Sequence, residues 1–312
     1  MMEKRRLGNS DLYVSTLGLG CMSLGTDEKK ATEIIKTAFD LGVNYFDTAD
    51  LYDYGINEKI VGQALKSVRD QVIIATKAGN RWEEGKTGWV WDASKAYIKE
   101  AAKQSLKRLG TDYIDLFQLH GGTMEDRIDE TIEAFEELKE EGYIRYYGIS
   151  SIRPNVIHEY VNRSKIVSVM MQYSILDRRP EEEAIPLLQE NGINVVARGP
   201  LAKGLLTDAL LNKASDSVKE NGYLNYSYSE LKELLPALKE KLANERSMTA
   251  VSLQFVLANP VVASCVTGAS SVEQLKENIT AIQSQPLSEE ELQLIKNYTK
   301  ADGYAQHRIN PK

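Results

Sequence analysis

From residue 16 to residue 268 the chain alternates short apolar, β-branched runs with longer amphipathic stretches. Eight of the runs read as strands: Thr16–Gly20, Tyr45–Thr48, Val72–Lys77, Tyr113–His120, Arg145–Ser150, Val167–Tyr173, Asn194–Gly199 and Ser264–Gly268. Some, such as Val72-Ile73-Ile74-Ala75 and Asn194-Val195-Val196-Ala197, are almost continuously apolar. A strand that is apolar on both alternating faces has to be covered on both, as in a parallel sheet under helices. Helical spacing fills the gaps. Residues 28–41 put Ala31, Ile34, Ile35, Ala38 and Leu41 on one face, and residues 94–109, 128–141, 181–191, 247–258 and 271–283 repeat the pattern. Gly42, Gly110, Gly142 and Gly192 stand at or beside the helix ends, where a left-handed cap is wanted.

Eight strands alternating with helices predict an α/β chain closed into a (β/α)8 TIM barrel. The 312 residues then form one domain spanning 1–312. Insertions are expected near 78–93 and 205–245, with a helix near 229–243 in the second, and a tail over 301–312. A doubly wound sheet is the runner-up. Its dinucleotide fingerprint has one near match, Gly18-Leu19-Gly20-Cys21-Met22-Ser23, which lacks the third glycine and does not directly open a helix.

Composition removes several functions. The 45 acidic residues outnumber the 38 basic ones, for a net charge of −7, which argues against a general binder of nucleic-acid phosphates. The uncharged run Leu12–Gly25 is short and broken by glycine, so neither a signal peptide nor a membrane span is expected, and a cytoplasmic setting is. Cys21 and Cys265 fall on the first and eighth strands, neighbours in a closed barrel. Two cysteines make no disulfide framework, and reduced thiols are expected. His120, His158 and His307 are far apart and show no zinc spacing, so no metal is expected.

Parallel barrel strands all end on one face. Gathered there are Asp47, Thr48, Asp50 and Tyr52, then Thr76 and Lys77, Gln118 and His120, Ser150 and Ser151, Gln172 and Tyr173, Arg198 and Gly199, and Gly268 to Ser271. A tyrosine phenol, with an ordinary pKa near ~10, is a poor proton donor at neutral pH until a nearby cation favours the phenolate. Lys77 is placed to be that cation, Asp47 to keep it charged, and His120 to hold a carbonyl oxygen. Taken singly, each has an ordinary reading: a solvated lysine, a core histidine, one tyrosine among 16, a turn aspartate. Their convergence at three strand ends favours the chemical reading.

The stretches Asn44–Tyr52 (NYFDTADLY), Ile74–Lys77, Asp112–His120 (DYIDLFQLH), Gly142–Ser150, Gly199–Leu206 and Gly268–Asn278 resemble, in order, the hallmark segments of the aldo-keto reductases. The likeness runs from about residue 4 to about residue 300, and is nearest to the bacterial oxidoreductase branch that also resembles the potassium-channel β subunits. It implies NADPH lying across the C-terminal face of the barrel, NADH being a second option, and a small aldehyde or ketone as substrate. Tyr52 is then the general acid, with Lys77 and Asp47 behind it and His120 orienting the carbonyl. Ser150, Ser151 and Gln172 match the carboxamide positions, and Gly20, Cys21 and Met22 flank the cofactor. Gly199, Pro200 and Leu201 match the loop over the pyrophosphate. Gly268, Ser270, Ser271, Gln274, Glu277 and Asn278 match the adenosine end, where a helix N-terminus suits an anion.

Three positions depart from the family pattern. Ser151 replaces a common asparagine, and Arg198 stands where an aromatic often stacks on nicotinamide. Ser270-Ser271 carries no basic residue for a 2′-phosphate, the next being Lys276.

All three tryptophans, Trp82, Trp89 and Trp91, fall in the loop after Lys77. With Tyr54 they are candidates for the wall of an apolar substrate pocket; the plainer alternative is that they pack the loop onto the barrel. Two other functions stay open on the residues: a nucleotide-binding redox sensor with little turnover, and a phosphate-using barrel isomerase or lyase. The sequence does not indicate an oligomeric state.

Overall fold

The structure is a computed structural model that describes residues 2–309 apart from Glu84 and Asn244. Its first strands, β1 (Lys4–Arg6) and β2 (Tyr13–Ser15), form an antiparallel hairpin with Lys4 opposite Ser15. Leu7, Leu12 and Val14 of this hairpin are buried against Tyr45, Ile73, Val167 and Ala263 at the starts of barrel strands, so the hairpin plugs the barrel floor.

Next come β3 (Leu17–Gly20), β4 (Tyr45–Asp47) and β5 (Ile73–Ala78). A small antiparallel hairpin, β6 (Asn80–Arg81) and β7 (Val90–Trp91), stiffens the tryptophan loop. Then follow β8 (Ile114–Leu119), β9 (Ile144–Ser150), β10 (Ser168–Gln172), β11 (Asn194–Arg198) and β12 (Val262–Gly268). The eight barrel strands close in the order β3-β4-β5-β8-β9-β10-β11-β12, and β12 pairs back onto β3 with Cys265 opposite Leu17. Every expected strand is present within two residues at each end.

The helices are α1 (Glu28–Asp40), α2 (Ile56–Leu65), α3 (Lys95–Leu109), α4 (Ile128–Glu140), α5 (Pro154–Arg163) and α6 (Ala184–Glu190), then α7 (Asp216–Asn221), α8 (Tyr228–Leu242), α9 (Met248–Leu257), α10 (Val272–Ile282) and α11 (Glu289–Tyr298). Asp27, Ser94, Ser247 and Ser271 each cap a helix by accepting a first-turn amide, and Ser227 and Ser288 complete capping boxes. Each such cap is worth ~1 kcal/mol. The N-terminal hairpin, α2, α5, α7 and α11 lie outside the periodic segments read from sequence, and α6 starts three residues later than expected. Gly62 lets α2 settle on α3, because a Cβ there would stand 2.0 Å from the Leu109 carbonyl oxygen.

Strand alternation decides which residues reach the mouth. Tyr45, Ala75, Leu116, Met170 and Val196 form the apolar filling of the barrel. Two residues further along each strand, on the same face, stand Asp47, Lys77, Gln118, Gln172 and Arg198. A polar layer therefore rests on an apolar one at the C-terminal end. Among the described residues no helix is long and apolar enough to cross a membrane, and no cluster of metal ligands occurs. Cys21 and Cys265 are both free and buried.

Candidate active site

Lys77 is fully buried, which obliges its ammonium to find partners. Nζ donates to Asp47 Oδ1 at 2.6 Å and to the Thr48 carbonyl at 2.7 Å. An ammonium has three hydrogens, and the third side faces Tyr52, whose ring centre lies 5.1 Å from Nζ. The Tyr52 and His120 rings meet edge to face, with centroids 5.9 Å apart. The four residues singled out from sequence thus share one pocket, with Asp47 and Lys77 buried at its base and Tyr52 and His120 half-buried.

Their protonation follows from burial and from one another. Burial pushes the Asp47 carboxyl up, while Lys77 and the Gln118 amide pull it back. Burial works against the Lys77 charge, but the Asp47 carboxylate and Tyr52 outweigh it, and Lys77 sits above an ordinary lysine. The net direction for Asp47 is upward, and the two groups form a buried salt bridge at 2.6 Å. Burial also raises the Tyr52 phenol, and Lys77 lowers it. The net direction is upward, so the cation only partly offsets the loss of solvent. His120 is pushed down to about 3 by burial, then by Lys77 and Arg198, and is neutral at any working pH.

The loop carrying Tyr52 is held from behind. Asp53 (φ 47°), Tyr54 (φ 50°) and Gly55 (φ 82°) are all left-handed, an unfavourable run for the two residues with side chains. The α2 residues that follow anchor it. Asn57 accepts from Thr48 Oγ1 at 2.7 Å and donates to the Cys21 carbonyl at 2.8 Å. Glu58, buried, accepts from Thr76 Oγ1 and Arg108 Nε, both at 2.6 Å. Asp50 accepts from Tyr97 Oη at 3.2 Å, and burial with the nearby Glu58 charge raises its carboxyl to about 7. Asn57, Glu58, Tyr97 and Arg108 were not singled out from sequence. They come from two helices behind the strands, and no spacing links them.

The tryptophans take three different places. Trp91 lies against Gly79 and Gly121, next to the His120 backbone, and its indole donates to Asp126 at 2.8 Å. Trp82 packs edge-on to Tyr54 and under Arg108. Trp82 and Tyr54, but not Trp91, border a groove of about 1070 Å³ between the loop and α3, which none of the four central residues lines. Trp89 is 54% exposed.

The opposite side of the mouth carries the other residues. Gln172 is held between Tyr223, to whose hydroxyl it donates at 3.2 Å, and Arg198, which donates to it at 3.1 Å. Ser151 is buried and its hydroxyl accepts the Arg153 amide, while Ser150 is half-buried at the end of β9. Met22 is exposed beside buried Cys21 and half-buried Gly20. Gly199, left-handed, opens the turn through Pro200 and Leu201. Gly268 faces Ser23, whose Oγ would stand 2.4 Å from an added Cβ. Asn278 donates to Thr267 Oγ1 and the Gly268 carbonyl, fixing the approach to α10. Gln274 accepts from the Ser270 amide at 2.9 Å, Ser271 caps α10, and Glu277 is exposed. This set offers free amides, hydroxyls and a helix N-terminus at one end, and an amide and a guanidinium at the other. A nicotinamide dinucleotide fits those donors.

The Aldo/keto reductase family profile matches residues 16–300. The chain belongs to the aldo/keto reductase family. The general reaction of aldo/keto reductases is carbonyl reduction with a nicotinamide cofactor. The chain is 63% identical to the uncharacterized oxidoreductase YqkF of Bacillus subtilis, over 98% of its own length and all of that protein. It is 32% identical to the NADH-specific methylglyoxal reductase of Escherichia coli, over 90% of this chain and 94% of that one. The holo structure of the aldo-keto reductase AKR11C1 from Bacillus halodurans superposes with a TM-score of 0.93 at 60% identity, covering 99% of this chain and 100% of that one.

Proposed function

We propose that this aldo/keto reductase, acting as one catalytic domain, reduces aldehyde or ketone carbonyls to alcohols with NADPH, accepts NADH less readily, and uses Tyr52 as proton donor. The observation that carries the reading is the buried Lys77–Asp47 pair at 2.6 Å, turned toward a phenol that shares its pocket with a neutral imidazole. The bound nicotinamide supplies the hydride. Neutral His120 donates a hydrogen bond to the carbonyl oxygen and sets its place. Tyr52 passes its phenolic proton to that oxygen, and the Lys77 ammonium stabilises the phenolate left behind. Asp47 keeps Lys77 charged. Proton transfer of this kind contributes about 10²–10⁴-fold.

Ser150, Ser151 and Gln172 hold the carboxamide, with the Arg198 guanidinium as a flat cationic surface beside the ring. Gly20, Cys21 and Met22 line its flank, and Gly199, Pro200 and Leu201 cover the pyrophosphate. Gly268, Ser270, Ser271, Gln274, Glu277 and Asn278 serve the adenosine end, where hydroxyls and amides meet a 2′-phosphate. The substrate is an apolar carbonyl compound. Of the exposed large apolar side chains, Met22, Tyr54, Ile56, Trp89, Val90, Met124, Ile152 and Leu224 all lie in the connections that follow the C-terminal ends of the barrel strands, Ile56 at the start of α2 and Val90 in β7. Trp91, closest to His120, forms the inner wall of the pocket.

The test is NADPH oxidation with 4-nitrobenzaldehyde, together with quenching of tryptophan fluorescence by NADPH and by NADH. Tyr52→Phe is expected to bind NADPH as the wild type does and to lose turnover at least 100-fold. Equal oxidation by both proteins rejects Tyr52 as donor. Tighter binding of NADH rejects the cofactor assignment.

A further inference from the structure

Gln118 has no part in the reading above, yet it sits in the middle of the site. It is fully buried on β8, in register with Lys77 on β5 and two residues before His120. Neither its amide nitrogen nor its amide oxygen has a hydrogen-bond partner among the described residues. Three neighbours share the condition: Asp47 lacks a partner for Oδ2, His120 for Nδ1, and Tyr45, beside Asp47, for its hydroxyl. Buried polar groups are seldom left unmatched, and each costs ~1–3 kcal/mol when they are. Four such residues, Gln118, Asp47, His120 and Tyr45, on neighbouring strand positions call for a shared account.

Their chemistry is complementary. A primary amide has two hydrogens to give. Asp47 Oδ2 is an acceptor, and so is His120 Nδ1 whenever Nε2 carries the ring proton. Resting on the proposed function, we infer that Gln118 is a positioning residue. Its amide gives one hydrogen to Asp47 Oδ2 and the other to His120 Nδ1, directly or through a buried water. The first bond completes the shell of the carboxylate that holds Lys77. The second fixes His120 in the Nε2–H tautomer, the form that donates to a substrate carbonyl. The same amide already helps hold the Asp47 carboxyl down, so it faces that side of the site. Cys21, Tyr45, Tyr52, Lys77 and Arg198 also face this region; the Tyr45 hydroxyl, itself without a partner, can give its hydrogen to Asp47 as well, and His120 Nδ1 is the unpartnered ring acceptor for the second amide hydrogen.

The chain has three histidines, which makes the tautomer readable. In protein carrying ¹⁵N-labelled histidine, His120 is assigned by its loss in His120→Gln. Wild type should show a pure Nε2–H ring. Gln118→Met keeps the length and removes the amide; Gln118→Leu removes it with a shorter, branched side chain. Both should give a mixture of tautomers and a drop of about tenfold in kcat for 4-nitrobenzaldehyde, with KM within twofold. An unchanged His120 spectrum in either folded variant overturns the inference, as does a pure Nδ1–H ring in wild type. The spectrum needs neither cofactor nor turnover. A wild type that reduces no carbonyl would therefore sink the proposed function and leave this result standing.

Discussion

Replacing Lys77 by Met removes the ammonium from a space closed to solvent. Asp47 then remains with Oδ1 stripped of its partner and with Cys21 and Tyr45 beside it. Breaking a buried pair by deleting one member costs about 3–5 kcal/mol. There is an escape, because the carboxyl takes up a proton. From an ordinary value of 3.8, that route costs about 5 kcal/mol at pH 7.5 and 1.4 kcal/mol less for each unit of acidification. The penalty is set by the cheaper route, so it is near its ceiling at pH 7.5 and about 2 kcal/mol at pH 5.5. With an unfolding entropy of ~2.1 cal/mol/K per residue, the chain loses roughly 1 °C of Tm for each 0.65 kcal/mol. Lys77→Met should therefore melt about 6–7 °C below wild type at pH 7.5 and about 3 °C below it at pH 5.5. The double variant Asp47→Asn/Lys77→Met should regain most of the difference at both pH values. The assay is a thermal melt followed by circular dichroism across that range. A deficit that stays constant with pH, or no deficit, would refute the reasoning, because it would mean that the carboxylate is not stranded.

Two other outcomes follow from the support behind Tyr52. Asp50, raised to about 7, is ionised in the unfolded chain at a lower pH than in the folded one, so it withdraws stability as pH rises from about 4 through 7. Asp50→Asn should melt a few degrees above wild type at pH 8 with the gap closing by pH 4, and a gap independent of pH in parallel melts would contradict this. Gly62→Ala drives a methyl to 2.0 Å from the Leu109 carbonyl, so α2 must move off α3 at a cost of about 1–3 kcal/mol. Because α2 carries Asn57 and Glu58, the variant should lose kcat as well as Tm, and a loss of Tm alone would show that α2 does not position the Tyr52 loop.

The barrel was readable because its strands are covered on both faces. Val72–Ala75 and Asn194–Ala197 carry enough apolar residues to mark themselves without an alignment, and the i+2 rule carries that marking to Lys77 and Arg198. The elements that escaped lack a one-sided pattern. α2 buries Asn57, Glu58 and Gly62 alongside Ile60 and Val61, so its polar residues face inward and its period is lost. β1, Lys4-Arg5-Arg6, has no apolar residue. α11 carried one legible signal, the capping box from Ser288 to Glu291, which a period search passes over. Within the site, strand ends found Asp47, Lys77 and His120, their chemistry suggested roles, and the family likeness implied the same ones. Their supports were hidden. Glu58 and Arg108 are 50 residues apart and meet only because α2 and α3 pack together. Gln118 was visible as a polar strand end, but its isolation shows only when partners can be counted in space.

Barrel closure also has a consequence for how the chain is made. The seam joins β3 to β12, so Leu17 waits for Cys265, 248 residues later in a chain of 312. At ~5–20 residues per second of synthesis, the first strand spends roughly 10–50 s without its second neighbour. During that interval it has an open edge, and the hairpin that plugs the floor has no finished floor to enter. Premature stops before residue 262 should therefore give products that aggregate or are degraded rather than smaller folded proteins, whatever fraction of the catalytic residues they contain. The seam makes the last strand translated a condition for the first one to be native.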